Sequence, residues 1–197
     1  MKPPAGVILA GGRATRMGGG DKALLDLGGR AMLARVIDRL RPQVAAMALN
    51  ANGDPARFAQ FGLPVVPDPV DGHAGPLAGV LAGMDWAAGH GATHVATVAG
   101  DTPFFPHDLV TRLMAGAGAA AIGMAATPDG LQPTFGLWPV ALRGDLALAL
   151  EAGTRKVAAW ADAAGAVPVA FQNADAFFNV NTPDDLAQAQ ARLERGA

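Results

Sequence analysis

Gly6-Val7-Ile8-Leu9-Ala10 is a short apolar run that passes directly into Gly11-Gly12-Arg13-Ala14-Thr15-Arg16-Met17-Gly18-Gly19-Gly20-Asp21-Lys22, a loop of small residues carrying three cations. An apolar run this short, ended by glycines, predicts a buried strand followed by a loop too long for a simple turn. Glycines let backbone N–H groups approach phosphate oxygens with no Cβ in the way. Arg13, Arg16 and Lys22 would neutralise the charge that builds up when a phosphoryl group is attacked. The loop therefore suits a polyphosphate. It contains no G-x-G-x-x-G and no glycine-lysine followed by Ser or Thr, so dehydrogenase and P-loop ATPase readings lose support. Taken alone, a surface loop with solvated basic residues fits the same string, and no role falls to Asp21.

Outward from this loop, apolar runs alternate with stretches of helical period. Strands are predicted over 6–10, 44–50, 64–67, 94–99, 119–126, 133–138 and 167–171, and helices over 31–40, 55–61, 76–88, 106–114 and 183–194, with two more between 139 and 166. Thr182-Pro183-Asp184-Asp185 marks the last helix start: a capping threonine, proline at the first helical position, and carboxylates near the positive end of the dipole. Alternation of this kind predicts an α/β fold, a mainly parallel sheet with helices on both faces. The 26 Gly and 15 Pro fall between apolar runs and mark no linker, so residues 1–197 read as one domain.

Composition narrows the function. Charged residues make up 16% and the net charge is −2, which argues against disorder and against nucleic acid as a partner. The absence of cysteine removes disulfides, thiolate metal sites and cysteine nucleophiles. No secretory signal follows Met1-Lys2, and the Ala/Gly-rich run 115–126 is too short to span a bilayer, so a soluble, cytoplasmic protein without membrane contact is expected. His73, His90, His94 and His107 show no zinc-like pairing and are expected at the surface. Trp86, Trp138 and Trp160 are expected in the core or at its rim.

In open α/β sheets ligands bind beyond the carboxyl ends of the strands, which directs attention to the residues after Leu9, Asn50, Val66 and Val98. Gly100-Asp101-Thr102-Pro103 places a carboxylate at the end of a buried strand, suited either to Mg²⁺ beside a nucleotide or to capping a turn. Asn50 and Asp68 end strands facing the same crevice; they are either turn formers or selectors of a nucleobase. Guanine, with N1–H and N2–H₂ donors beside an O6 acceptor, would need such acceptors. Asn179 and Asn181 flank Val180 on an extended segment, so their amides share one side at the N-terminus of the last helix. A pair so placed can clasp a polar ring or an anion.

The full string is more specific than its parts. Leu9-Ala10-Gly11-Gly12, Arg16-Met17-Gly18 and Lys22, then Asn50-Ala51-Asn52, Asp68, Gly75-Pro76-Leu77-Ala78-Gly79, Asp101-Thr102-Pro103 and Asn179-Val180-Asn181-Thr182-Pro183 resemble the molybdenum cofactor guanylyltransferase family. The resemblance covers essentially the whole chain. It implies a Rossmann-like nucleotidyltransferase fold and transfer of GMP from GTP to the phosphate of molybdopterin, with Mg²⁺ as cofactor. It further implies that Leu9, Ala10, Gly11, Gly12, Lys22, Asn50, Asp68 and Asp101 bind GTP, that Asp101 also binds the metal, and that Lys22, Arg16 and Asp101 carry catalysis. Asn179 and Asn181 fall on the molybdopterin side, although in related nucleotidyltransferases an asparagine of this region completes the metal shell. The assignment of the role to Asp68 and not to nearby Asp71 rests on the resemblance alone. Leu-Ala-Gly-Gly, where molybdopterin cytidylyltransferases tend to carry Leu-Ala-Ala-Gly, favours guanine. A monomer is expected, its product passing to molybdenum-cofactor insertion proteins or recipient enzymes. The rival readings are a cytidylyltransferase or sugar-phosphate nucleotidyltransferase of the same fold and a non-catalytic nucleotide- or cofactor-binding protein.

Overall fold

Residues 3–11, 21–70, 75–118 and 121–196 are described in the computed structural model. Within them the chain runs β1 (Ala5–Leu9), α1 (Met32–Leu40), β2 (Ala46–Asn50), β3 (Val65–Val66), α2 (Pro76–Gly89), β4 (His94–Ala99) and α3 (Leu109–Ala117). It continues with β5 (Gly123–Thr127), β6 (Gly130–Pro139), α4 (Arg143–Glu151), α5 (Val157–Ala163), β7 (Val167–Ala170) and α6 (Pro183–Glu194). The strands form one sheet in the order β3-β2-β1-β4-β6-β5-β7. Neighbours are parallel except that β6 runs antiparallel to both β4 and β5. The sheet is therefore mainly parallel, as the alternating pattern predicts.

The central strands feed two cores, because alternate side chains leave opposite faces. On β1, Ile8 joins the cluster containing Leu33, Val36, Phe105, Leu109 and Leu113 from the α1 and α3 side. Val7 joins Leu77, Val80, Met84, Trp138 and Trp160 on the α2, α4 and α5 side. Helix α2 is apolar around most of its circumference, the pattern of a helix buried against a sheet and other helices. A smaller cluster of Leu27, Met32, Phe104, Val180 and Ala189 seats α6 against the loop that follows β4.

Several boundaries differ from the sequence reading. The helix expected over 106–114 starts at Leu109 and runs to Ala117, since Ala115 and Ala117 favour a helix despite Gly116 between them, until Gly118, at φ 71, ends it. The strand expected over 119–126 then begins at Gly123; residues 119 and 120 lie outside the described ones. The segment 55–61 is a 3-10 helix, entered through an Asp54 carboxylate that accepts from Ala56 N and closed by Gly62 at φ 62. His94 is buried, contrary to expectation: it opens β4, which lies between β1 and β6, and its Nδ1 is 3.0 Å from Thr93 Oγ1. His90 and His107 are exposed, and His73 lies outside the described residues. Trp138 and Trp160 are core residues and Trp86 is half-buried at the rim. Among the described residues no helix is long and apolar enough to cross a membrane.

Candidate functional site

Strands β1, β2 and β4 are parallel and end together, with Leu9 in register with both Asn50 and Ala99. From β1 the chain moves to β2 and β3 on one side, then returns to place β4 on the other. That reversal leaves a crevice at the carboxyl ends, where α/β sheets take their ligands. Two backbone hydrogen bonds cross its floor: Ala10 N donates to Asn50 O at 2.8 Å and Gly100 N donates to Leu9 O at 3.0 Å. A Cβ on Gly100 would lie 3.2 Å from Leu9 O and 3.3 Å from Ala10 Cα, backbone atoms that cannot turn aside. Glycine is what lets the Asp101 loop press against the end of β1.

Lys22, on a 3-10 turn Lys22–Leu24, is 7% exposed and occupies the centre of the site. Its Nζ donates to Asp101 Oδ2 at 2.6 Å, to Asn179 Oδ1 at 3.1 Å and to Asn181 Oδ1. Three acceptors match the three protons of an ammonium group. Convergence of residues 79 and 159 positions apart follows from two local devices. Asp101 O accepts from Val180 N at 2.9 Å, laying the Asn179–Asn181 segment beside the β4 loop. Val180 is fully buried in the α6 cluster, which turns Asn179 and Asn181 to the opposite side. Asn181 is further fixed through its backbone N–H, which donates to Asp185 Oδ2 at 2.9 Å. Thr182 caps α6 by accepting from Asp185 N, and the Asp185 carboxylate reaches back to Thr182 N. The N–H groups of Asn181 and Thr182 hold the Asp185 carboxyl below its ordinary range.

A second cluster lies at the ends of β2 and β3. Asn50 Nδ2 donates to Asp68 Oδ1 at 2.9 Å and to Val66 O at 3.2 Å, so its amide protons are committed to holding this corner. Asn52 grips Asp68 reciprocally: its Nδ2 donates to Asp68 Oδ2 at 2.8 Å and its Oδ1 accepts from Asp68 N at 2.8 Å. Both carboxylate oxygens are thereby oriented, with lone pairs left to accept from a ligand. The loop 12–20, and with it Gly12 and Arg16, lies outside the described residues, as does Asp71. Leu9, Ala10, Gly11, Asn50, Asp68 and Asp101 lie at or just beyond the carboxyl ends of β1 to β4, and Lys22, Asn179 and Asn181 are gathered there on Asp101. Sequence reasoning assigned no role to Asn52, Asp21 or Arg57. The signal for Asn52 was its spacing of two from Asn50.

Three hard oxygen donors, from Asp101, Asn179 and Asn181, already surround one cation, the Lys22 ammonium. One carboxylate with amide oxygens suits Mg²⁺, which keeps several waters and draws further ligands from substrate phosphates. No cluster of three or more His, Cys, Asp or Glu occurs among the described residues. A separate concavity of about 430 Å³, lined by Arg39, Phe104, Asp175, Arg192 and Arg195 among others, contains none of these residues. Hollowness alone does not mark the site; convergence of polar groups at the strand ends does.

Residues 6–167 match the family model described as a MobA-like NTP transferase domain. A molybdenum cofactor guanylyltransferase from Rhodopseudomonas palustris (strain HaA2) is 54% identical over 98% of this chain and 93% of its own length. The protein of that name from Mesorhizobium japonicum is 48% identical over 96% of each chain. Among solved structures, molybdopterin-guanine dinucleotide biosynthesis protein A from Archaeoglobus fulgidus superposes with a TM-score of 0.74 at 20% identity, covering 97% of this chain and 99% of that one. Rv0371c from Mycobacterium tuberculosis, in complex with manganese, superposes with a TM-score of 0.68 at 21% identity, covering 95% of this chain and 97% of that one.

Proposed function

The chain belongs to the molybdenum cofactor guanylyltransferase family, within the MobA-like NTP transferases, and from that premise we propose that it transfers GMP from GTP to the phosphate of molybdopterin. The observation that carries the site assignment is the meeting of Lys22, Asp101, Asn179 and Asn181 at the sheet's switch point. A phosphate oxygen of molybdopterin forms a bond to the α-phosphorus of GTP as the bond to the leaving pyrophosphate breaks. A phosphate monoester has a second pKa of about 6, so this nucleophile is ionised near neutrality and no protein base is required. Two anions must be brought together, and catalysis is chiefly positioning and neutralisation.

Lys22 supplies a desolvated positive charge beside the transferring phosphoryl group, and Arg16 adds a second from the glycine loop. Asp101 would hold Mg²⁺, which supplies Lewis-acid polarisation of phosphate oxygens when bound. Leu9, Ala10, Gly11 and Gly12 contribute to binding the nucleotide, and Asp68, oriented by Asn50 and Asn52, accepts from the guanine donors. Asn179 and Asn181 orient the incoming molybdopterin while restraining the Lys22 ammonium. On this reading residues 1–197 act as one nucleotidyltransferase domain, a cytoplasmic monomer that passes its product to an insertion protein or recipient enzyme.

The test is to incubate the purified protein with GTP, Mg²⁺ and molybdopterin and to follow pyrophosphate release and product mass. A molybdopterin guanine dinucleotide formed one-for-one with pyrophosphate is expected. No pyrophosphate, or release with CTP in place of GTP, would contradict the proposal.

A further inference from the structure

We propose that Arg57 is a positioning residue that ties the triphosphate end of the nucleotide site to its base end. The inference rests on the function proposed above and adds a residue to which that reading gives no part. Arg57 lies on the 3-10 helix Pro55–Phe61, which follows β2. Its guanidinium reaches both halves of the crevice. Nε lies 2.7 Å from Asp21 Oδ2, in a pair whose side chains are 29% and 18% exposed. The N–H does not point at the oxygen and Nε has no hydrogen-bond partner, so this end is held by charge more than by a directed bond. Nη2 donates to Asn52 O.

Each contact acts on a group that matters. Asp21 immediately precedes Lys22, and its carbonyl accepts from Leu24 N at 3.0 Å to start the turn that presents the lysine. Asn52 is the residue whose side chain grips Asp68 by two hydrogen bonds. Lys22, Asp21, Arg57, Asn52 and Asp68 therefore form a continuous chain of contacts linking the cation at one end to the carboxylate at the other. The strut is itself anchored: the guanidinium lies 4.8 Å from the ring centroid of Phe58, which is fully buried. Gly53, at φ 86, leaves the space a Cβ would fill 2.9 Å from Arg57 Nη1. A lysine in place of Arg57 carries one point charge and cannot serve both partners, whereas the forked guanidinium does.

The experiment uses the full-length chain and two fragments of GTP as probes, inorganic triphosphate for the lysine end and guanosine for the Asp68 end. Both are titrated by ligand-observed NMR alongside steady-state kinetics with GTP. Arg57→Ala should weaken each fragment by about 10-fold, the effect of losing one hydrogen bond or ion contact to a charged group, and raise KM for GTP with kcat little changed. Asp21→Asn should weaken triphosphate alone and Asn52→Ala guanosine alone, a split that a general loss of stability would not produce. Arg57→Lys, which keeps the charge and the fold should the alanine variant fail to fold, should retain triphosphate binding better than guanosine binding. Unaltered binding of both fragments by Arg57→Ala and Arg57→Lys, in a chain that binds GTP normally, overturns the strut alone. Absence of nucleotide binding by the unaltered chain overturns the reading of the site and the strut with it.

Discussion

Gly79→Ala probes the site through a helix to which no binding or catalytic residue has been assigned. Gly79 lies one turn into α2, where an added Cβ would meet Asn50 Oδ1, Asn50 Cγ at 3.0 Å and Leu9 Cδ2 at 2.9 Å. Alanine in a helix is favoured over glycine by about 1 kcal/mol. Against this, overpacking a close-packed contact costs roughly 1–3 kcal/mol. Displacing the Asn50 amide also loosens, without abolishing, its hydrogen bond to Asp68, which is worth about 1.5–3 kcal/mol in full for a charged acceptor. The opposing terms leave a net loss of about 2 kcal/mol, a fall in Tm of roughly 4–8 °C for a chain of this length. Gly89→Ala is the control: it sits at the exposed end of the same helix with nothing within 4 Å of the added Cβ, and should leave Tm unchanged or slightly raised. Because Asn50 orients Asp68, Gly79→Ala should also raise KM for GTP while Gly89→Ala does not. Thermal unfolding and steady-state kinetics on the two variants decide the matter. A Gly79→Ala chain as stable as Gly89→Ala, with KM unchanged, would refute the packing of α2 against Asn50 as the support of the base end.

Lys22→Ala and Asp101→Ala should each lower turnover by about 10²–10³-fold, the scale of losing a preorganised charge, while circular dichroism shows a folded chain; near-normal rates in both would sink the assigned chemistry. Asp185→Asn should cost about 1 kcal/mol at pH 7 by weakening the cap of α6. Since the carboxyl is lowered in the folded state by the N–H groups of Asn181 and Thr182, its contribution is complete above the ordinary carboxylate pKa of about 4. That contribution disappears as pH falls through the lowered folded value, so the stability curves of the two proteins should merge in acid. A constant gap down to the lowest pH would contradict this. Thr97→Val should cost about 1–3 kcal/mol, because Trp138 Nε1 donates to Thr97 Oγ1 at 2.8 Å with both residues fully buried, and its loss leaves an unpaired indole N–H. Urea denaturation measures the loss, and an unchanged midpoint would show the bond to be dispensable.

Much of this arrangement is legible before any coordinates. The run 94–99 is a strand over the expected residues and 183–194 a helix over the expected residues, because a short, mostly apolar run with Val95, Thr97 and Val98 and a complete N-terminal cap leave few alternatives. Asn179 and Asn181 share a face because strand-like backbone alternates, and the structure places both on Lys22. The boundaries within 115–126 differ from the sequence pattern because alanine and glycine carry neither helical nor alternating periodicity; the end of α3 is decided by one glycine conformation. His94 is buried because tertiary neighbours outweigh its polarity. Arg57 and Asp21 meet across 36 residues through a 3-10 helix, and no local pattern records such a pairing. Asn52 stood beside Asn50 in the quoted motif, yet which of the two grips both faces of Asp68 depends on the register of β2 with β3.

The most direct measurement is calorimetric binding of GTP, CTP, ATP and UTP to the purified chain, with Mg²⁺ present and after chelation. Selective, Mg²⁺-dependent GTP binding is the expected result, with affinity lost in Lys22→Ala and Asp101→Ala. Preference for CTP would keep the fold and the chemistry of the site but overturn guanine as its base, and failure to bind any nucleotide would contradict the assignment of this crevice as a nucleotidyltransferase site.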